Sequence, residues 1–99
     1  MAETIPAHPG DVLKTDYLER LGVSADELAE SIDVPPERIR EIVRGRRAIS
    51  ADAAMRLADR LGTTPQFWVT LQTNYDLALV SQSLQRRGPP RPKLPRRRR

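Results

Sequence analysis

The side chains best equipped for chemistry are arginines. Arg38, Arg40, Arg44, Arg46 and Arg47 fall within one ten-residue window, interleaved with Glu37 and Glu41. A guanidinium presents a planar fork of donors that matches a phosphate, or the O6 and N7 acceptors of a guanine in the major groove. A carboxylate in the same stretch can accept from the N4 amino group of cytosine, or repel a mismatched sequence. The concentration is informative because the rest of the body is acidic. Residues 1–85 carry nine basic side chains against thirteen acids, a balance of −4, and five of the nine lie in this window. A local cationic patch on an acidic body points to a polyanion more sharply than the overall charge of +4.

Other chemistries lack their parts. The chain has no cysteine, and His8 is its only histidine. That removes disulfides, thiolate metal sites and any Cys/His metal cluster. There is no glycine-rich phosphate loop, and the carboxylates are scattered as solubilising charges usually are. A lone His8 beside Pro9 and Gly10 reads as a structural or capping residue. The expectation is therefore no catalytic residue, no metal, no cofactor, no small-molecule substrate and no enzymatic activity. The first residues lack the basic start and apolar stretch of a signal peptide, and no apolar run approaches the roughly 18 residues of a membrane span. The expected setting is cytoplasmic, with no membrane partner.

A reading face must be held rigidly, and the pattern supplies helices to hold it. Residues 1–8 read as an extended lead-in, since Pro6 and Pro9 discourage regular structure. A first helix follows, with Val12, Leu13, Tyr17, Leu18 and Leu21 on one side and Gly22 to end it. Ser24 and Glu27 form a capping-box pattern opening a second helix, with Leu28, Ala29 and Ile32 inward. Asp33 and Val34 turn the chain. Pro35-Pro36 opens a third helix, with Ile39, Ile42 and Val43 inward, Glu37, Arg38, Arg40, Glu41 and Arg44 outward, and Gly45 as the stop. Small Ala29 lets the two helices approach closely. Two short helices joined by a tight turn, the second rich in arginine, form a helix-turn-helix over about residues 24–45. Ser24, at a helix start, is placed to meet a phosphate, and Arg46 and Arg47 to grip the backbone.

Ser50 caps a fourth helix with Ala54, Leu57, Ala58 and Leu61 buried, and Thr64-Pro65 opens a fifth, spanning about 64–83. No strand pattern or internal repeat is present, so the fold class is all-α. One domain is expected over 9–85. From Arg86 to Arg99 there are eight basic residues, four prolines and no acid. This tail is expected to be disordered, with a capacity for sequence-independent phosphate attraction.

Several local motifs are familiar together: His8-Pro9-Gly10-Asp11-Val12-Leu13, then Arg38-Ile39-Arg40-Glu41-Ile42-Val43-Arg44-Gly45, then Arg47-Ala48-Ile49-Ser50-Ala51-Asp52. Gly62-Thr63-Thr64-Pro65-Gln66-Phe67-Trp68 and Leu71-Gln72-Thr73-Asn74-Tyr75-Asp76-Leu77 complete the set. Over roughly residues 7–80 the chain resembles the HigA-type antitoxins of toxin–antitoxin modules, within the larger Cro/C1-type (XRE) helix-turn-helix family. The resemblance implies a five-helix, lambda-repressor-like domain, a homodimer bound to the operator of its own operon, and a RelE-like ribonuclease toxin as partner. It places the dimer contact on the last helix, where Phe67, Trp68, Leu71, Tyr75 and Leu79 gather and where Trp68 and Tyr75 recur in a chain with only four aromatics. It places the toxin on the lead-in and first helix. This chain departs from the family at Pro36-Glu37, where Arg-Thr often follows the proline, and at Arg40 and Arg44, where asparagine is frequent, so the operator sequence does not transfer. Two other functions share parts of this pattern: a stand-alone Cro/C1-type repressor without a toxin, and an interaction module whose helix-turn-helix no longer binds DNA.

Overall fold

The computed structural model describes residues 5–86 and Pro95. The expectations for residues 1–4 and for the rest of the arginine–proline tail lie outside the described residues. Those described form five helices and no strand. Helix α1 covers 9–21, α2 Ala25–Ser31, α3 Pro36–Val43, α4 Ala51–Leu61 and α5 Pro65–Arg86.

Helix α1 starts on a side-chain cap. The Gly10 N–H donates to His8 Nδ1 at 2.8 Å, and Pro9 occupies the first helical position, where no N–H is needed. Regular α geometry lasts only from Pro9 to Val12. Leu13–Leu18 is a π-helical segment, in which the Glu19 N–H reaches back five residues to the Lys14 carbonyl, and Glu19–Leu21 closes the helix. Side chains five apart stand about 140° apart on an α-helix. The wider turn brings Leu13 and Leu18 both inward, and both are buried. It also rotates Leu21 out of the stripe expected for it, leaving that side chain 59% exposed.

The next boundaries follow from capping. The Ser24 hydroxyl accepts from the Glu27 N–H at 3.0 Å while the Glu27 carboxylate accepts from the Ser24 N–H at 2.9 Å, closing the capping box of α2. The turn to α3 passes through Asp33 at φ 64°, a left-handed conformation that a short polar side chain tolerates. Ser50 and Thr64 cap α4 and α5 by accepting from the Ala53 and Phe67 amides, each at 3.1 Å. Helix α5 continues through Arg86, a few residues beyond its expected end.

One apolar cluster joins all five helices. Leu13, Leu28, Ala29, Ile39, Ile42, Ala54, Leu57 and Trp68 lie at its centre. Burying each branched aliphatic side chain contributes about 1.5–3 kcal/mol. Trp68 corrects the sequence reading, which gave it to a dimer face. It is 0% exposed, its Nε1–H donates to Thr63 Oγ1 at 2.7 Å, and its ring lies 5.4 Å from Tyr17 and 5.0 Å from Phe67. A ring sealed inside its own chain has no surface to offer a partner. Tyr75, also expected there, is half-buried and meets the His8 ring edge-on at 4.9 Å.

His8 is the buried centre of this corner. Burial pushes its imidazole below the ordinary 6.5, partly offset by the Asp11 and Asp76 carboxylates. The neutral ring is thus the folded chain's preferred form, and only a neutral ring leaves Nδ1 free to accept from Gly10. Stability should be full above 6.5 and fall as pH drops from there through the folded-state value. Thermal melts between about pH 7.5 and 5 should show this loss, and His8→Asn, which retains a capping acceptor, should flatten it. A profile unchanged by His8→Asn would assign the acid sensitivity to other groups.

Candidate nucleic-acid interface

Helix α3 is locked from behind. Ile39 and Ile42 are 0% exposed, and Ala29 of α2, also 0%, permits the close approach of the two helices. Gly10 of α1 packs against the last turn of α3 so tightly that a β-carbon there would overlap the Ile42 carbonyl oxygen. Arg56 of α4 holds the turn between α2 and α3: its Nη1–H donates to the Ile32 carbonyl at 2.9 Å while Nε pairs with Asp52 at 3.1 Å. Gly45 ends α3 at φ 76°, a conformation that suits glycine, and the Arg46 N–H folds back to the Glu41 carbonyl at 2.9 Å. The loop then docks through Gln72 of α5. Its buried Oε1 accepts from the Ile49 N–H at 2.8 Å, and its Nε2 donates to Asp76 Oδ1 at 2.9 Å.

With its back fixed, α3 turns Glu37, Arg40 and Arg44 to solvent, with Arg38 and Glu41 half-buried at the margins, and Arg46 and Arg47 exposed just beyond. The structure thus brings all seven together on and beside one helix. It also pairs several of the arginines. Arg40 Nε lies 3.0 Å from Asp26 Oδ1 on α2, Arg38 3.8 Å from Asp52 on α4, and Arg47 2.7 Å from Glu41. Among the described residues, Arg44 and Arg46 enter no ion pair. Exposed pairs of this kind contribute about 0–1 kcal/mol each, weak enough to yield to a stronger partner. Ser24 stands apart from its expected role. Its oxygen and its amide are both committed to the capping box, and Asp26 and Glu27 crowd the same turn, so only its hydroxyl proton remains for a phosphate.

The surface expected for a dimer is divided. Phe67 and Leu79 are exposed and Leu71 is half-buried, while Trp68 is interior. The sequence reading did not single out Leu77, Val80 and Leu84, which are more exposed, at 62%, 55% and 59%, along the distal half of α5. It also missed the groups that position α3: Gly10, Arg56 and Gln72. Only Gln72 carried a signal, a polar residue one position from Leu71 and four from Trp68 on an otherwise apolar stripe.

Comparisons with known proteins converge on this region. A helix-turn-helix family model matches residues 16–68. The chain is similar to Virulence-associated protein I of Dichelobacter nodosus, 46% identical over 78 residues that cover 79% of this chain and 72% of that one. It is 35% identical over 72 residues to Antitoxin HigA-1 of Vibrio cholerae, covering 73% and 68%. Among solved structures it superposes on the Pseudomonas aeruginosa antitoxin HigA with the higBA promoter, with TM-score 0.80 and 36% identity over 83% of this chain and 89% of that one.

Proposed function

This chain belongs to the helix-turn-helix family, in the Cro/C1-type branch that holds the HigA-type antitoxins, and on that premise we propose that it is an antitoxin and autorepressor. In this reading it binds the operator of its own operon as a homodimer and neutralises a RelE-like ribonuclease toxin. The observation that carries the DNA part is the arginine face of α3, fixed from behind by Ile39, Ile42 and Gly10. Solved structures of similar chains include an antitoxin with its promoter DNA. Arg38, Arg40 and Arg44 enter the major groove, Glu37 and Glu41 refine selectivity, and Arg46, Arg47 and the Ser24 hydroxyl meet the backbone. The dimer joins through exposed apolar side chains of α5, Phe67, Leu79, Leu77, Val80 and Leu84, and sets its two α3 helices about 34 Å apart, one DNA turn.

The DNA role is tested by gel shift with the duplex upstream of the chain's own gene. Arg40→Ala should weaken operator binding by about 1–3 kcal/mol, whereas Arg46→Ala should weaken binding evenly across sequences. Unchanged operator affinity in Arg40→Ala would remove that residue from base reading. The toxin role is tested by co-expression with the product of the adjacent reading frame. Co-purification of a small basic protein, toxic when expressed alone, supports the antitoxin. A harmless neighbour that does not co-purify leaves a stand-alone repressor.

A further inference from the structure

The pair between Arg40 and Asp26 has no evident part in holding the fold. Both side chains are largely exposed, 45% and 61%, and they meet through a single 3.0 Å contact between neighbouring helices. Asp26 is not needed to cap α2 either, because Ser24 and Glu27 already satisfy each other's amides. The other two pairs differ. Asp52 is shared with Arg56, which ties down the turn, and Glu41 lies on α3 itself. Asp26 is thus an acid whose one visible contact is to an arginine at the centre of the reading face.

Resting on the DNA-binding reading above, we propose that Asp26 is a specificity-determining residue that withholds Arg40 from DNA phosphates. On arbitrary DNA, Arg40 is offered only a phosphate. Exchanging an exposed carboxylate for a phosphate gains little, and the Asp26 charge repels the DNA backbone, so the arginine stays on the protein. At a matched base step the bidentate edge of a guanine is worth roughly 5- to 150-fold in affinity, enough to draw the arginine off Asp26. The acid therefore lowers affinity for wrong sequences more than for the right one. Selectivity arises from suppressed competition as well as from contact with the operator.

The test uses the full chain and the near-isosteric Asp26→Asn. Binding to a scrambled duplex and to the upstream duplex is measured across a salt series. With Arg40 freed, the scrambled duplex should bind about three- to ten-fold tighter at low salt, and its slope of log affinity against log salt should steepen by about 0.9, one phosphate contact. The upstream duplex should tighten less, so the ratio of the two affinities falls. Asp26→Asn combined with Arg40→Ala should abolish the gain in slope. A merely structural role for Asp26 would lower the melting temperature without steepening the slope. The inference is overturned by an unchanged slope on scrambled DNA, by equal tightening on both duplexes, or by a gain that persists without Arg40. Failure of the unmodified chain to bind either duplex would overturn the DNA reading itself.

Discussion

Trp68→Ala should lower the stability of the folded chain by about 3–5 kcal/mol, the range found when a buried large aromatic is cut to a methyl group. The indole is 0% exposed, bonded to Thr63 and flanked by the rings of Tyr17 and Phe67, so its removal leaves a cavity where α1 meets α5. A domain of this size has about 0.05–0.15 kcal/mol of stability per residue, so the loss is a large share of the total. In melts followed by circular dichroism, each kcal/mol corresponds to about 4–8 °C. Trp68→Phe, which keeps most of the volume and loses the Thr63 bond, should fall between the two. A loss under about 1 kcal/mol for Trp68→Ala would contradict the buried placement and return the ring to a surface role.

Gly10→Ala is the second large effect, and it acts through added volume. The new methyl group would overlap the Ile42 carbonyl, which is backbone and cannot step aside by changing rotamer. Either α1 moves away from α3 or the last turn of α3 bends. Overpacking of this kind costs about 1–3 kcal/mol, and a rigid obstacle places this site at the upper end. Because Arg40 and Arg44 flank Ile42, the displacement should also weaken operator binding in the fraction that remains folded. Chemical melts combined with gel shifts at low temperature separate the two losses. Wild-type stability together with wild-type DNA affinity would show that the close approach does not constrain α3.

These two positions mark where the sequence was readable and where it was not. Helix boundaries were legible because caps are local: Ser24 with Glu27, Ser50 with Ala53 and Thr64 with Phe67 lie three residues apart, and the structure makes each of those bonds. The inward faces of α2 and α3 were legible from periodicity. The π segment was not, because the periodic test assumes the α repeat and Leu13 and Leu18 obey a longer one. Trp68 was misassigned because an aromatic on an amphipathic helix looks alike whether its own core or a partner covers it. The arginines could be located on α3, but their pairing could not, since Asp26 lies fourteen positions from Arg40 and Asp52 fourteen from Arg38. Gly10 and Gln72 act on backbone atoms of Ile42 and Ile49 that are distant in the chain, so even the polar Gln72 on its apolar stripe could not show which atom it meets.

The Gln72 amide has a thermodynamic corollary. One end of that side chain satisfies the Ile49 amide and the other is braced by Asp76 one turn further along α5. The segment that carries Arg46 and Arg47 and the helix that bears the exposed apolar stripe are thereby mechanically one piece. In the proposed dimer on DNA, ordering either would diminish the entropy still to be lost by the other. Association along α5 and grip on a phosphate chain would then be linked reciprocally: whatever factor the first adds to the second, the second returns to the first. Such cooperativity would need no travelling conformational wave, only a glutamine long enough to touch both halves.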